Sequence, residues 1–472
     1  MKKQASAPKP EQTSAPEQTH LKAPAERRAM GKALRQQTLR AAHGEWRPPE
    51  NRADPVDLLV ETSKGRVEDL VPIRYGRMMA SPFAFYRGAA AIMASDLSFT
   101  PNTGINLLAC GDSHLLNFGG FATAERKLIF DINDFDEASF APWEWDVKRL
   151  VASFVIAGRS NGFAAADCRE AAWLAGQSYR QAMAAYAGKP VLETWYDALD
   201  FNDILASMRD KEMKRFYSKK VASAEAESAR EKEFARLAHS EGYPARIIDQ
   251  PPLIYHVGDL RDEEFSQTTR ASLQDYISNL PLERVLLVRR YELVDVAFKV
   301  VGVGSVGTTC GILLMMSGSG EPLFLQFKEA RQSVLEPYAG ASPFKHHGQR
   351  IVISQKLMQA AGDLFLGWGT GAGAGKRHFY MRQLRDAKIK PVVEIMAPMN
   401  LKGYGALCGR ALARAHTRSG DAVVLSGYMG TSTAFEDALA DFGVAYADQN
   451  EKDHAALVAA VRSGRLAANV VD

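Results

Sequence analysis

The sequence predicts an α+β protein of two lobes, a larger, mainly helical one and a smaller, β-rich one. Three observations carry that expectation. At 472 residues the chain is too long for one ordinary core. Helical periodicity dominates from about residue 77 to about 245. β-branched and aromatic runs then crowd the stretch from 293 to 330. Composition agrees: apolar residues make up 46% and charged residues 24%, with Lys+Arg 58 nearly balanced by Asp+Glu 55. That balance gives no reason to expect a specific nucleic-acid partner.

Residues 1–25 are rich in Pro, Ser, Gln and Lys and carry too little apolar surface to offset ordering, so a disordered tail is expected there. Domain limits follow at 26–284 for the large lobe, 285–400 for the small one and 401–472 for helices completing the large lobe. Ser81-Pro82 starts a helix with Phe85, Ala89 and Ile92 at helical spacing, and Arg87 inside that face is long enough to reach a phosphate or a carboxylate. Val147, Leu150, Val151, Phe154 and Val155 give a second amphipathic helix. The charged stretch 208–242 predicts a solvated helical hairpin, ended by DQPPLIY. SGSGEP marks a hairpin turn between strands in 294–315 and 322–330. A helix near 346–361, a strand at FYMRQLR and a helix over 404–418 complete the series. The uncharged segment Val300 to Ser319 is broken by glycines and threonines and predicts strand, loop, strand, with no membrane span. Four scattered cysteines and the lack of an apolar leader point to a reducing cytoplasm.

Two constellations carry chemistry. In GDSHLLNFGGFATAERKLIFDINDFDEA, residues 111–138, Asp112 and Asn117 share a short loop, and the strand KLIFDIN delivers Asp131, Asp134 and Asp136. Phosphoryl transfer needs such parts: a carboxylate to orient or deprotonate a hydroxyl, and an Asn and an Asp to hold Mg²⁺. Any one of these residues alone reads as a turn former or cap. The second constellation is GVGSVG, with Gly302, Gly304, Ser305 and Gly307, followed by a strand and by Lys328 on the next strand. A dinucleotide fold would place a helix after such glycines, whereas a glycine loop between strands covers the phosphates of a kinase-type site. Lys328 alone reads equally as a strand-end surface lysine.

Gly111-Asp112-Ser113-His114 with Asn117, then Asp134-Phe135-Asp136 and the helix opening on Trp145-Asp146, resemble the catalytic loop, metal loop and following helix of the aminoglycoside phosphotransferase branch of the protein-kinase-like superfamily. From about residue 26 to 465 the chain also resembles a bacterial family catalogued as domain of unknown function 2252. The first resemblance implies Asp112 as catalytic base, His114 as a loop-ordering residue, Asn117 and Asp134 as Mg²⁺ ligands with Asp131 as the substitute, and Asp146 as the buried carboxylate under the catalytic loop. It implies ATP contacts from Lys328, the glycine loop and main-chain groups near Gln383 and Leu384. GQRIVISQKLMQ lacks the Glu that should pair with the lysine, so Glu336 or Glu329 must serve, or no Glu does. The glycine loop and lysine follow the catalytic loop instead of preceding it, and a circular permutation, with GALCGRALARAHTRSG as the helix that would lead into residue 111, resolves the order.

The expected function is therefore ATP- and Mg²⁺-dependent phosphoryl transfer to an unidentified small molecule or protein. The alternatives are a nucleotide-binding pseudokinase or scaffold, an AMP transferase, and a binuclear metallophosphoesterase, for which GDSH supplies fragments but the remaining histidines supply too few ligands.

Overall fold

A computed structural model of the chain describes residues 21–225, 234, 236–239, 245–300, 302, 304, 306–373, 375–384 and 388–469. Most of the expected disordered tail and Ser305 lie outside the described residues. Helices and several small sheets are combined, so the α+β expectation holds. All four cysteines are buried and free. Among the described residues no helix is long and apolar enough to cross a membrane.

The larger hydrophobic core is built on three long helices. Trp143–Ser160 buries nearly its whole length, including Val147, Leu150, Val151, Phe154 and Val155. Ala165–Tyr186 and Pro398–His416 pack on it and on each other. Their approach is so close that a Cβ on Gly409 would overlap the Ala175 carbonyl, which is why a glycine stands there in a helix interior. Ala434–Arg462 closes the group. The helix Pro24–Ala33 lies against Ala422–Met429, tied by Arg27 to Asp421 at 3.1 Å.

The smaller core surrounds a six-stranded sheet in the order 367–370, 378–383, 322–329, 310–317, 291–299, 254–255, all antiparallel. The hairpin turn at 318–321 joins the two central strands. Helix Glu263–Ser278 packs against this sheet, with Tyr276 fully buried, so the apolar cluster of the sheet begins well before residue 285.

Two local expectations are corrected. The helix from Pro82 stops at Gly88 and restarts at Ala90, because the Arg74 guanidinium takes the Gly88 carbonyl at 3.1 Å and Ala89 leaves helical geometry. In the charged stretch Lys211–Glu225 is a helix as expected, most of the second arm of the hairpin lies outside the described residues, and Ala238–His239, expected as helix, pairs with Arg246–Ile247 as short strands. Asp295 anchors that pair by accepting from the Ile247 amide at 2.6 Å, a tertiary contact that helical periodicity does not carry.

His43 locks the N-terminal segment onto the helical lobe. It is fully buried between Tyr428 and Phe435, with Nε2 2.7 Å from the Tyr428 hydroxyl. Burial pushes its pKa down to about 3, so the folded protein holds it neutral. Below pH 6.5 the unfolded chain takes up a proton that the folded one refuses. The stability tied to this group is thus complete above pH 6.5 and is lost as pH falls toward 3. The stability advantage of wild type over His43→Gln should shrink by about 1.4 kcal/mol per pH unit below 6.5. Paired urea titrations from pH 7.5 to 4.5 would show this, and a constant difference would refute it.

Candidate functional site

The loop 110–117 is shaped by one buried carboxylate. Asp146, in the first turn of helix Trp143–Ser160, accepts the amides of Cys110 at 2.7 Å and Gly111 at 3.0 Å. Its main-chain carbonyl accepts the Ser113 hydroxyl at 2.6 Å. His416, the last residue of helix Pro398–His416, reaches the same carboxylate at 3.1 Å, and Tyr179 fixes the other ring nitrogen at 2.8 Å. Sequence reasoning missed His416, although it lies inside the quoted helix: an apolar helical stripe does not reveal which end meets a loop.

Asp112 emerges from this loop half-buried, with Oδ1 held by Arg149 Nε at 2.7 Å and Nη2 at 2.6 Å. Arg149 sits 4.3 Å over the Tyr86 ring. Oδ2 is left toward His114, 3.9 Å away. His114 orders the loop by accepting the Leu116 amide at Nδ1, and burial pushes its pKa down to about 3, so it is neutral there. Asn117 donates Nδ2 to the Asp112 carbonyl at 2.7 Å, which leaves its Oδ1 as the atom able to meet a cation.

Asp134 follows the strand Leu128–Ile132. Burial alone would raise its pKa, but Lys328 and Arg382 outweigh that and hold it below the usual carboxylate range, ionised and ready to ligate. An Asn and an Asp suit Mg²⁺, which takes few protein oxygens and keeps water or phosphate for the rest. Among the described residues no group of three or more His, Cys, Asp or Glu is arranged as a metal site.

Lys328 is buried on strand Pro322–Glu329, and its amine lies 2.6 Å from Asp136, with Tyr380 donating to the other carboxylate oxygen at 2.6 Å. Burial would lower the lysine, yet Asp134 and Asp136 hold it well above its ordinary pKa. Two expectations fail here. Glu336 is turned to Ser333, Gln332 and Arg350, and Glu329 to the Thr309 amide and Arg377. The lysine's partner is Asp136. The helix that lacks a Glu, His347–Met358, contributes Arg350 instead, fully buried and donating to the carbonyls of Asp136, Ala138 and Arg331.

Asp131 is excluded as a ligand. It is fully buried, paired with Arg414 at 2.7 Å, and accepts the amides of Ile132 and Ala360. The donor groups expected at the adenine edge are also occupied: the Gln383 amide donates to Asp363 at 2.8 Å and the Leu384 amide to the Phe324 carbonyl at 2.9 Å.

Asp112, His114, Asn117, Asp134, Gly302, Gly304, Lys328, Gln383 and Leu384 nevertheless line one cleft of about 720 Å³, whereas Asp131, Asp146, Gly307 and Glu336 stand outside its lining. The glycine loop is held from an unexpected side: Arg66 donates to the carbonyls of Gly304 at 3.0 Å and Val306 at 2.6 Å, and the Val67 amide to that of Gly307 at 2.7 Å. Gly307 has φ +85°, a conformation that favours glycine.

Comparison with family models finds that residues 66–460 match the family described as uncharacterized protein conserved in bacteria, DUF2252. Neither the curated proteins nor the solved structures contain a match.

Asp131→Asn tests the two roles of this aspartate. A buried partner of Arg414 should lose about 3–5 kcal/mol of stability when neutralised, because the guanidinium is left without its counter-charge. Denaturant unfolding reads the loss, and unchanged stability would return Asp131 to the ligand candidates.

Proposed function

The chain belongs to the bacterial DUF2252 family, and for it we propose ATP- and Mg²⁺-dependent phosphoryl transfer to a hydroxyl or amine, on a kinase-like, circularly permuted frame. The observation that carries the reading is convergence. Asp112, Asn117 and Asp134 from one part of the chain, and the glycine loop with Lys328 from a much later part, line a single cleft. Lys328 and Asp136 are in contact across 192 positions.

Each residue then has one task. Asn117 and Asp134 hold Mg²⁺, which when bound neutralises charge on the phosphates. Lys328, with Arg382 beside Asp134, presents positive charge to the phosphates. Asp112 orients the acceptor through Oδ2, since Oδ1 is committed to Arg149. Phosphoryl transfer through a loose transition state asks more for position than for a strong base. The permuted order draws support from the end of helix Pro398–His416. Ser419, three residues on, accepts the Leu108 amide at 3.0 Å, so this helix ends beside the strand that enters the catalytic loop.

A second reading, a nucleotide-binding regulator without turnover, draws on the same Asp112–Arg149 pair and on the missing helix Glu. AMP transfer uses the same groups with the nucleotide reversed.

Asp134→Asn and Lys328→Met should each weaken Mg·ATP binding at least tenfold, and the double variant should lose less than the product of the two, because both act on the same bound phosphates. Calorimetry giving fully multiplicative losses, or none, would count against a shared site. Asp112→Asn should keep nucleotide affinity and lower turnover by orders of magnitude. Turnover is read by mass spectrometry of cell extract incubated with protein, ATP and Mg²⁺. Phosphate adducts that Asp112→Asn abolishes support the proposal. AMP adducts support nucleotidyl transfer, and binding without any adduct supports the regulator.

A further inference from the structure

One wall of the cleft carries arginines that no carboxylate answers. Arg66, Arg74 and Arg87 all line it, and among the described residues none of the three has an ion pair. Arg66 spends its donors on the carbonyls of Thr62, Gly304 and Val306. Arg74 spends four contacts on the Leu59 and Gly88 carbonyls and the Ser63 and Thr62 hydroxyls, and its buried Nε has no partner. The side chain of Arg87 makes no hydrogen bond among the described residues, and its Nε is buried. Burial pulls Arg66 down to about 9 and Arg74 to about 10, and lowers Arg87 too.

A guanidinium kept from water without a counter-charge is costly, and arginine is the side chain suited to gripping phosphate or carboxylate through paired N–H groups. The carboxylates that act on these arginines are exposed to solvent or wholly or partly engaged elsewhere. Those acting on Arg87 are Asp112, whose Oδ1 is held by Arg149, and the exposed Glu394, with Arg77 opposing them. Those acting on Arg66 are Glu137, which burial pushes up to about 7 and which accepts the Val334 amide, and Glu329, 3.5 Å from Arg377. Elsewhere in the cleft Lys328 and Arg382 are set against Asp134 and Asp136. The glycine loop runs past the arginine wall: a Cβ on Gly304 would stand 3.6 Å from the Arg87 carbonyl.

We propose that Arg87, backed by Arg66 and Arg74, forms an anion subsite that holds a phosphate group between the glycine loop and Asp112. Its role in transfer rests on the phosphotransfer reading, while the anion site itself does not. The phosphate has two sources, the terminal group of the nucleotide or a phosphate carried by the acceptor, which would make the substrate a phosphorylated metabolite or chain.

Calorimetry with inorganic phosphate, Mg·ADP and Mg·ATP on wild type, Arg87→Gln and Arg87→Lys decides the matter. Arg87→Gln should weaken phosphate binding at least tenfold, with Arg87→Lys between it and wild type. If Mg·ATP affinity falls and Mg·ADP affinity does not, the terminal phosphate is the occupant. If both nucleotides bind normally and the ADP-loaded protein loses phosphate binding, the acceptor supplies it. Phosphate and both nucleotides titrating as in wild type would overturn the subsite. Phenylglyoxal labelling of wild type, read by peptide mass spectrometry, gives the answer without a variant: phosphate or Mg·ATP should protect Arg87, and equal labelling would overturn the proposal. Phosphate held through Arg87 by a protein that ignores ATP would sink the phosphotransfer reading and leave this site standing. ATP binding retained, with neither nucleotide nor phosphate binding sensitive to Arg87, would do the reverse.

Discussion

A buried ammonium group has to be answered by a carboxylate, and for Lys328 the answer comes from 192 positions earlier, in Asp136 at 2.6 Å. Much of the site is fixed by that requirement. Tyr380, opposite Lys328 in the sheet register, donates to the second oxygen of the same carboxylate. Arg350, from the helix behind the sheet, takes the Asp136 and Ala138 carbonyls. Glu137 accepts the Val334 amide from the segment between them. Strand, neighbouring strand, helix and connecting segment of the small lobe thus converge on residues 136–138. With those residues pinned, Asp134 and the loop it closes have little freedom to leave the cleft.

The N-terminal helices work on the other side of the same cleft. Glycine loops are permissive because they lack side chains, and for the same reason they need something else to hold them. Here the segment after helix Pro55–Ser63 does so, with Arg66 and the Val67 amide binding three carbonyls of the loop. Arg331 adds a bond from the small lobe to the Lys64 carbonyl at 2.5 Å. Residues before the loop 110–117 therefore bridge onto the sheet that follows it, and the two cores share a third contact that neither strand pairing nor helix packing would create.

Much of this was legible in the sequence, and the part that was not has a common cause. The central strands, the glycine loop, the helix at 347–358 and the loop Asp112–Asn117 follow from periodicity and turn chemistry, which are local. Which carboxylate does what is not local. Asp131, Asp134 and Asp136 stand close together on one strand and its exit, and nothing in LIFDINDFDEA says that the first faces Arg414, the second the cleft and the third Lys328. Arg149 and Arg350 were hidden for a related reason. Each sits within a helix whose apolar periodicity makes an interior arginine look incidental, yet both are buried because carbonyls or a carboxylate wait at the end of a long side chain. The occupied amides of Gln383 and Leu384 depend on Asp363 and on sheet register, again invisible along the chain.

The charges of the cleft then divide the work in a way that no single motif states. Around Lys328 two cations face two carboxylates, so this half is already settled and can hold its geometry with or without a ligand. The arginine wall has no such settlement; Arg66 and Arg74 are met by carbonyls and hydroxyls, which supply hydrogen bonds but no net charge, and Arg87 by neither. A ligand bearing several negative charges gains most where the protein has not already spent its own. The carboxylate of Asp112 lies at the boundary of the two halves, one oxygen tied to Arg149 and the other open. On the proposed reading, an acceptor presented at that boundary would meet a fixed hydrogen-bond acceptor on one side and unanswered positive charge on the other, the combination that favours transfer by placement of charge over transfer by proton removal.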